Sequence, residues 1–353
     1  MRRRSRWAWL SFVSVISVLL WFPGGAAADR GYTVAFTTNR QGDITGTGNT
    51  LMSCFDADPR CAAARNGTAS GSNLNNNGLP MDWVDVDNDP TTFNSSAATL
   101  SLPVGARVVT ARLYYTGRLQ QGADQGQFIS RPAPNPNARD RVRFHPPGLN
   151  GYLTLTADTV DDAIDQSTGT PRAYQGVVDV TDLVRAAGAG EYMVANVQLG
   201  TGFNADQAGG WALAVVYEDA NQPMRNLTIF DGFRFVLADG PPVDIPLSGF
   251  TTPKSGPVTT NLGLVAMEGD LGTTGDSATI NAAPPGPPPP PTPPPCPRRP
   301  WRAVQADERG EPAGQLLQRV DLGPHTDPTP AQLPQPDGLR RRHRQRDRRP
   351  GQR

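Results

Sequence analysis

The chain is poor in the residues from which most active sites are built. Among 353 residues there are three His and three Cys, and His145 is the only His before residue 284. A nucleophile activated through histidine would have to use this one. It precedes Pro146-Pro147, and no Gly-x-Ser-x-Gly elbow accompanies it. Neither a Walker phosphate loop nor a His-Glu-x-x-His zinc motif occurs. The 37 Gly follow no Gly-X-Y period, which excludes a collagen. Only the N-terminus has a long apolar run, which excludes a multi-pass membrane protein. Lysine is almost missing, with Lys254 alone against 32 Arg. These absences point away from an enzyme, and no catalytic residue is assigned.

The formal net charge is zero, but it is unevenly spread. Residues 1–28 carry four Arg and no acid. Residues 29–283 carry 15 Arg and one Lys against 23 Asp and three Glu, a net charge of −10. Residues 284–353 carry 13 Arg against seven acids, a net of +6, and hold 19 of the 36 Pro. Three segments of different chemistry are joined end to end. In the first, Arg2, Arg3, Arg4 and Arg6 precede an apolar run of 16 residues at 7–22, shorter than the ~20 that span a bilayer. Pro23-Gly24-Gly25 breaks the run, and Ala26-Ala27-Ala28 supplies a small-x-small cleavage site. Residues 1–28 are therefore expected to be a signal peptide. The mature chain would start at Asp29, outside the cytoplasm, with no stable membrane span after cleavage.

Cysteine usage fits an oxidising compartment. Cys54 and Cys61 lie seven apart in a loop-like stretch that can close as a small disulfide. Two thiols with no nearby His make at best half a zinc site. Cys296 sits in the Pro-rich tail without an evident partner.

The middle segment reads as strands. Residues 107–116 alternate, with Val109, Ala111, Leu113 and Tyr115 on one face and Arg112 and Tyr114 on the other. The same period of two runs through Leu153, Leu155 and Ala157, through Tyr174, Val178 and Val180, and through Met193, Ala195, Val197 and Leu199. It continues in Trp211, Leu213, Val215 and Tyr217, in Leu227 and Ile229, and in Leu262, Leu264 and Ala266. Asn150-Gly151, Asp231-Gly232, Asp239-Gly240-Pro241-Pro242 and Ser255-Gly256-Pro257 are turn signals between them. One helical turn is predicted at 182–187, capped by Thr181 and stopped by Gly188. The expected fold class is all-β, an antiparallel sandwich or jelly roll over residues 29–283, built as one domain or as two subdomains.

Four candidate sites emerge. Asp85, Asp87 and Asp89, preceded by Asp82, alternate as hard oxygen ligands suited to calcium. Pro90 stands where an EF-hand needs Gly, and position 96 is Ser instead of the bidentate Glu, so an acidic strand end with an Asx turn is the alternative. Tyr114, Tyr115, Trp211 and Tyr217 offer a sugar platform, although Trp211 and Tyr217 fall on the same side as Leu213 and Val215 and read more simply as core. Glycoside hydrolysis needs two apposed carboxylates, and Glu218-Asp219 and Glu268-Gly269-Asp270 stand at strand ends. Solvent-exposed strand ends explain these acids as well. The Asn-rich run 73–78 reads as a loop exposed for recognition or simply as a loop.

Several stretches carry a resemblance. They are residues 43–52 (Asp43-Ile44-Thr45-Gly46-Thr47-Gly48-Asn49-Thr50-Leu51-Met52), Val84-Asp85-Val86-Asp87, residues 92–100, Asp179-Val180-Thr181-Asp182-Leu183-Val184, residues 210–217 and residues 225–233. Over most of residues 40–281 the chain resembles the N-terminal, uncharacterised β-rich domain of large secreted bacterial surface proteins, common in actinobacteria. In such proteins this domain is often followed by immunoglobulin-like conserved repeats and a surface anchor. The resemblance implies an extracellular, non-catalytic structural or adhesive role and supplies no site residues.

The tail departs from that pattern. The family continues after the equivalent of Gly275-Asp276-Ser277-Ala278 with a segment like Asn-Phe-Phe-Asn and later Asn-Tyr-x-Asn-Gln-x-Gly-Tyr/Phe-Asp-Ala-Asp, whereas here Pro and then Arg take over. The codons allowed for Gln315-Leu316-Leu317-Gln318, read one nucleotide later, permit Asn-Phe-Phe-Asn. The same shift over residues 332–343 permits the second segment. Residues from about Pro284 onward are thus expected to be out of frame, and the chain a truncated part of a larger surface protein. If genuine, the tail 284–353 is expected to be disordered, with a polyproline II spacer at 287–295. The basic run 340–349 would then suit an anionic cell-wall polymer. Export and the want of a folded nucleic-acid module argue against nucleic acid.

The expectation is a secreted or cell-surface structural or adhesive module without catalytic activity or resident cofactor, whose partner is a cell-wall or extracellular glycan or a protein. The alternative is a calcium-dependent glycan-binding module using Asp85, Asp87 and Asp89.

Overall fold

The computed structural model describes residues 30–164, 168–203, 207–234, 243–248, 260–267, 278 and 318–322. The expected signal peptide, Cys296, Glu268, Asp270 and the tail 284–353 apart from 318–322 lie outside the described residues.

In chain order the elements begin with β1 (Thr33–Thr50), β2 (Met52–Cys54), α1 (Cys61–Arg65), β3 (Met81–Trp83), β4 (Ser95–Leu100), β5 (Arg107–Arg118) and β6 (Arg141–His145). They continue with β7 (Leu153–Thr156), β8 (Thr159–Ile164), β9 (Pro171–Asp179), α2 (Thr181–Ala187), β10 (Gly190–Ala195), β11 (Gly209–Glu218), β12 (Met224–Asp231), β13 (Thr260–Leu264) and β14 (Gln318–Leu322). The larger antiparallel sheet has the order β12-β1-β11-β5-β9-β8, the smaller β4-β10-β6-β7. β2 pairs with β3, and β13 with β14.

The order of the main strands defines the fold. Taking β1, β4, β5, β6, β7, β9, β10 and β11 as strands 1 to 8, the two sheets read 1-8-3-6 and 2-7-4-5. The chain changes sheet at every step except the β6–β7 hairpin. These are the two interlocked Greek keys of a jelly roll, with β8 and β12 added to the larger sheet. The antiparallel all-β sandwich expected from the alternation is the fold that forms.

One core joins the sheets. Leu113 and Tyr115 of β5, Tyr174 of β9, and Trp211, Leu213 and Val215 of β11 meet Leu100 of β4, Val142 and Phe144 of β6, and Tyr192 and Val194 of β10. The polar ends of Trp211 and Tyr115 are satisfied, as burial favours. Trp211 Nε1 donates to Ser96 Oγ at 2.9 Å, and the Tyr115 hydroxyl donates to the Arg139 carbonyl at 3.1 Å. Gly176 makes room for Tyr115, because a Cβ there would lie 2.2 Å from the ring.

Several expectations about faces change in the structure. On β5 the register shifts opposite Val216 and Tyr217, so Val108 faces the core while Val109 packs on the other side with Val216, Leu227 and Ile229. On β10 the inward pair is Tyr192 and Val194, and Met193 lies partly exposed on the opposite face. Asn196 then takes a left-handed φ of 57°, which breaks the alternation before buried Val197 and Leu199. α2 ends at Gly188 as predicted, with φ 71°, but its cap is Val180 without a side-chain bond. Thr181 lies inside the helix, where its hydroxyl accepts from the Ala111 N–H at 3.0 Å and ties α2 to β5.

β1 is 18 residues long and shows no apolar alternation. Its first half pairs with β12 and its second with β11, so backbone bonding on both stretches sustains it. Two segments cover the back of the larger sheet. The β1–β12 ribbon lays Leu227 and Ile229 on Val216 and Val109. At its end Arg30 bridges Asp161 of β8 and Asp231, each at 2.9 Å, and the Phe233 N–H donates to the Arg30 carbonyl at 2.9 Å. Both carboxylates are almost fully buried, and hydrogen bonding to Asp161 raises the Arg30 guanidinium further above its ordinary range. Farther along the sheet, Val265 and Met267, just beyond β13, pack on Tyr114, Val177, Ala212 and Ala214.

Candidate functional site

Among the described residues, the outer face of the smaller sheet has no such cover over β6 and β7. Its pairing places Arg143 beside Thr154 and Ala195, Arg141 beside Thr156, and His145 beside Met193. Arg141, Thr154 and Thr156 are exposed, and Arg143, His145 and Met193 partly so. The local cause is the strand Arg141-Val142-Arg143-Phe144-His145, whose two apolar residues point into the core and whose three basic-type residues point out.

The acidic loop borders this face. Ser95, the first residue of β4, is its hub: the hydroxyl donates to Asp85 Oδ1 at 2.8 Å and accepts from the Val86 and Asp87 N–H groups at 2.9 and 3.2 Å. Asp87 Oδ1 accepts from the Asp89 N–H and the Thr92 hydroxyl, both at 3.0 Å, and Asp87 Oδ2 accepts from the Tyr152 hydroxyl at 2.5 Å. Asp89 Oδ1 accepts from the Thr91 N–H and hydroxyl, both at 2.8 Å, and Arg143 donates to that hydroxyl at 2.6 Å. Asn88 makes the bend with φ 53°. Burial, with Asp87 close by, raises the Asp85 carboxyl above its ordinary value. Burial also acts to raise Asp87, but donations from Tyr152, the Asp89 N–H and Thr92 outweigh it and hold this carboxyl lower. Burial and Asp87 together push the Tyr152 phenol upward, so it remains a donor.

Asp85 and Asp87 are thus brought together, while Asp89 turns to Thr91 and Asp82 pairs with Arg131. Each of the three proposed calcium ligands is bonded to donors of its own chain. Among the described residues, no three His, Cys, Asp or Glu side chains converge in a way that could hold a metal ion. The loop is an Asx-type bend in which side-chain oxygens replace backbone partners.

His145 lies with its ring centroid 5.4 Å from that of Tyr152, and its Nε2 is 2.6 Å from the Leu149 carbonyl. A carbonyl only accepts, so Nε2 carries the proton. The His145 ring braces the β6–β7 connection and the side of Tyr152. What this surface offers is a mixed set of hydroxyl, guanidinium and carboxylate groups, the groups that bind polar polymers by hydrogen bonds.

Cys54 and Cys61 form a disulfide with Cα atoms 5.5 Å apart. The loop it closes supplies Phe55, Asp58, Pro59 and Arg60 to a shallow pocket of about 170 Å³, completed by Pro80 and Gln125. Arg60 donates to Asp58, to the Gly78 carbonyl at 3.0 Å and to Gln125 Oε1 at 3.2 Å, so its charge is used in holding the loop.

The remaining candidates take structural roles. Tyr115 and Trp211 are fully buried, and Tyr114 and Tyr217 nearly so, which leaves no open platform of these four. Glu218 is held by Arg40 and Arg107, and Asp219 accepts from the Asn221 N–H at 2.9 Å. Sequence reasoning misses Tyr152, Ser95 and Arg143. Tyr152 is 65 positions from Asp87, so no short motif could link them. The alternation at 141–145 is the one signal that could have marked Arg143 as facing outward.

Among the described residues no helix is long and apolar enough to cross a membrane. Compared with protein families, curated proteins and solved structures, the chain shows no match.

Proposed function

We propose that this chain is a secreted or cell-surface module with a structural or adhesive role and no catalytic activity, and that it contacts an extracellular glycan or protein through the outer face of the smaller sheet. The observation that carries this reading is the unequal cover of the jelly roll. The larger sheet is packed on both sides, whereas the smaller presents Arg141, Arg143, His145, Thr154 and Thr156 outward. A flat row of polar side chains on a rigid sheet suits a repetitive polar partner, because it needs little reordering on binding. Three further observations support export. The N-terminal segment has the pattern of a signal peptide, Cys54 and Cys61 are disulfide-bonded, and the sequence resembles β-rich domains of bacterial surface proteins.

The test has two parts. The full chain, expressed in an exporting bacterium, is expected in the extracellular or wall fraction with its N-terminus at Asp29. Binding of the purified chain to isolated bacterial cell walls is then compared with that of a double Arg141→Ala, Arg143→Ala variant that melts like the parent. Retention in the cytoplasm would overturn the export reading. Undiminished binding by the variant would move the contact surface elsewhere.

A further inference from the structure

Three Asn-Gly steps lie in the described residues: Asn66-Gly67, Asn77-Gly78 and Asn150-Gly151. At such a step the glycine nitrogen attacks the asparagine side-chain carbonyl carbon, with no Cβ on the glycine to hinder it. The new N–Cγ bond forms as the bond to the side-chain nitrogen breaks, and ammonia leaves with the proton lost by the backbone nitrogen. Water then opens the five-membered imide at either carbonyl, which yields aspartate or isoaspartate. Nothing is oxidised or reduced. The sequence ranks the three steps alike.

The structure separates them. The Gly67 N–H donates to the Ala64 carbonyl at 3.0 Å, and Asn66 Oδ1 accepts from the Thr68 N–H at 3.1 Å and the Thr68 hydroxyl at 2.6 Å. Both reacting groups of that step are engaged. The Gly78 N–H donates to the Asn75 carbonyl at 3.0 Å, and a Cβ on Gly78 would lie 2.1 Å from the Ser72 carbonyl oxygen, so this backbone is bonded and crowded. Asn150 and Gly151 share exposure and a positive φ with Asn66 and Gly67 (φ 68° at Gly67) but differ from both other steps in their bonding. The Cβ position of Gly151 has nothing within 4 Å, and its φ is 80°. Neither the Gly151 N–H nor the Asn150 side chain makes a hydrogen bond among the described residues.

We propose that Asn150 is a site of spontaneous deamidation in the folded protein, while the fold protects Asn66 and Asn77. The new carboxylate appears in the β6–β7 connection, two residues before Tyr152, whose hydroxyl is bonded to Asp87. The isoaspartate form also lengthens the backbone of that turn by one carbon. The edge of the open sheet face therefore becomes more acidic as the protein ages. Any effect on partner binding rests on the contact surface proposed above; the chemistry does not.

The experiment is to incubate the full folded chain in mildly alkaline buffer, with a parallel sample unfolded in urea, and to follow the three peptides by mass spectrometry over time. In the folded sample Asn150 is expected to convert roughly tenfold faster than Asn66 or Asn77, the order of magnitude that one maintained backbone hydrogen bond can impose. In urea the three rates should converge. Asn150→Gln, an exposed substitution, should remove the early product while leaving the other two peptides unchanged. Equal rates in the folded chain would overturn the proposal, and so would an Asn150 that stays intact while the unfolded sample reacts. Cell-wall binding by Asn150→Asp is read separately. Absence of binding by both parent and variant would count against the contact surface alone.

Discussion

The two sheets of this jelly roll have opposite fates on their outer faces, although both obey the same alternation. In β11 nearly every residue is buried, because one side meets the core and the other lies under residues 265–267 and the β1–β12 ribbon. In β6 only Val142 and Phe144 are buried. A strand covered on both sides becomes a run of small and apolar residues, Gly-Gly-Trp-Ala-Leu-Ala-Val-Val, while a strand covered on one side keeps a polar period of two. The difference teaches where variation is free. The back of the larger sheet is core in all but name, and the back of the smaller sheet is, among the described residues, open to solvent at Arg141, Thr154 and Thr156.

Substitutions can break this contrast. Tyr114→Ala, on the covered back of the larger sheet, should lower stability by about 3 kcal/mol in urea denaturation, as deletion of a buried aromatic does. A loss below ~0.5 kcal/mol would show that residues 265–267 do not cover it. Arg30→Ala leaves Asp161 and Asp231 buried without their main partner and should cost roughly 2–3 kcal/mol, less than the ~3–5 kcal/mol of fully buried pairs because Arg30 itself is partly exposed. Replacing Cys54 and Cys61 together by Ser opens an eight-residue loop and should cost about 2.5 kcal/mol on loop-entropy grounds, checked by the shift in urea midpoint.

Smaller effects sharpen the contrast. Bonds from Arg60 hold the Asp58 carboxyl below its ordinary value of 3.8. Its stabilisation is therefore complete above that value and disappears as pH falls through the lowered one. Asp58→Asn should cost less than about 1 kcal/mol near neutral pH, since its partner Arg60 is more than a third exposed, and nothing in strong acid. Urea midpoints at the two pH values test the sign. Arg141→Ala, on the open face, should change stability by no more than ~0.5 kcal/mol. A larger loss would mean that this face, too, is structural.

Much of the sandwich is legible in the sequence wherever burial on one face imposes a period of two, as at Leu155 and Ala157, and at Trp211, Leu213 and Val215. β1 is not legible this way. Its residues Thr, Asn and Gly are chosen by neighbouring backbone: at Gly42 a Cβ would lie 2.0 Å from the Tyr217 carbonyl oxygen. Phase errors arise where a bulge or a left-handed residue resets the count, as opposite Val216 and at Asn196. The disulfide is readable from a spacing of seven because both cysteines belong to one loop. The acidic loop shows its carboxylates in sequence but not their use, since Ser95 reaches it from β4, Arg143 from β6 and Tyr152 from the β6–β7 connection.

The Arg30 bridge has a mechanical meaning. Thr33 pairs with Asp231, and the backbones of Arg30 and Phe233 are bonded to each other, so the two ends of the β1–β12 ribbon lie side by side. Tension applied between residues 30 and 233 would pull the ribbon apart like a zipper, loading one rung at a time. A zipper resists little once it starts to open, so resistance must be concentrated at its first tooth. There the guanidinium of Arg30 grips two carboxylates at once, and it would have to release Asp161 and Asp231 before the first rung of the ladder could yield.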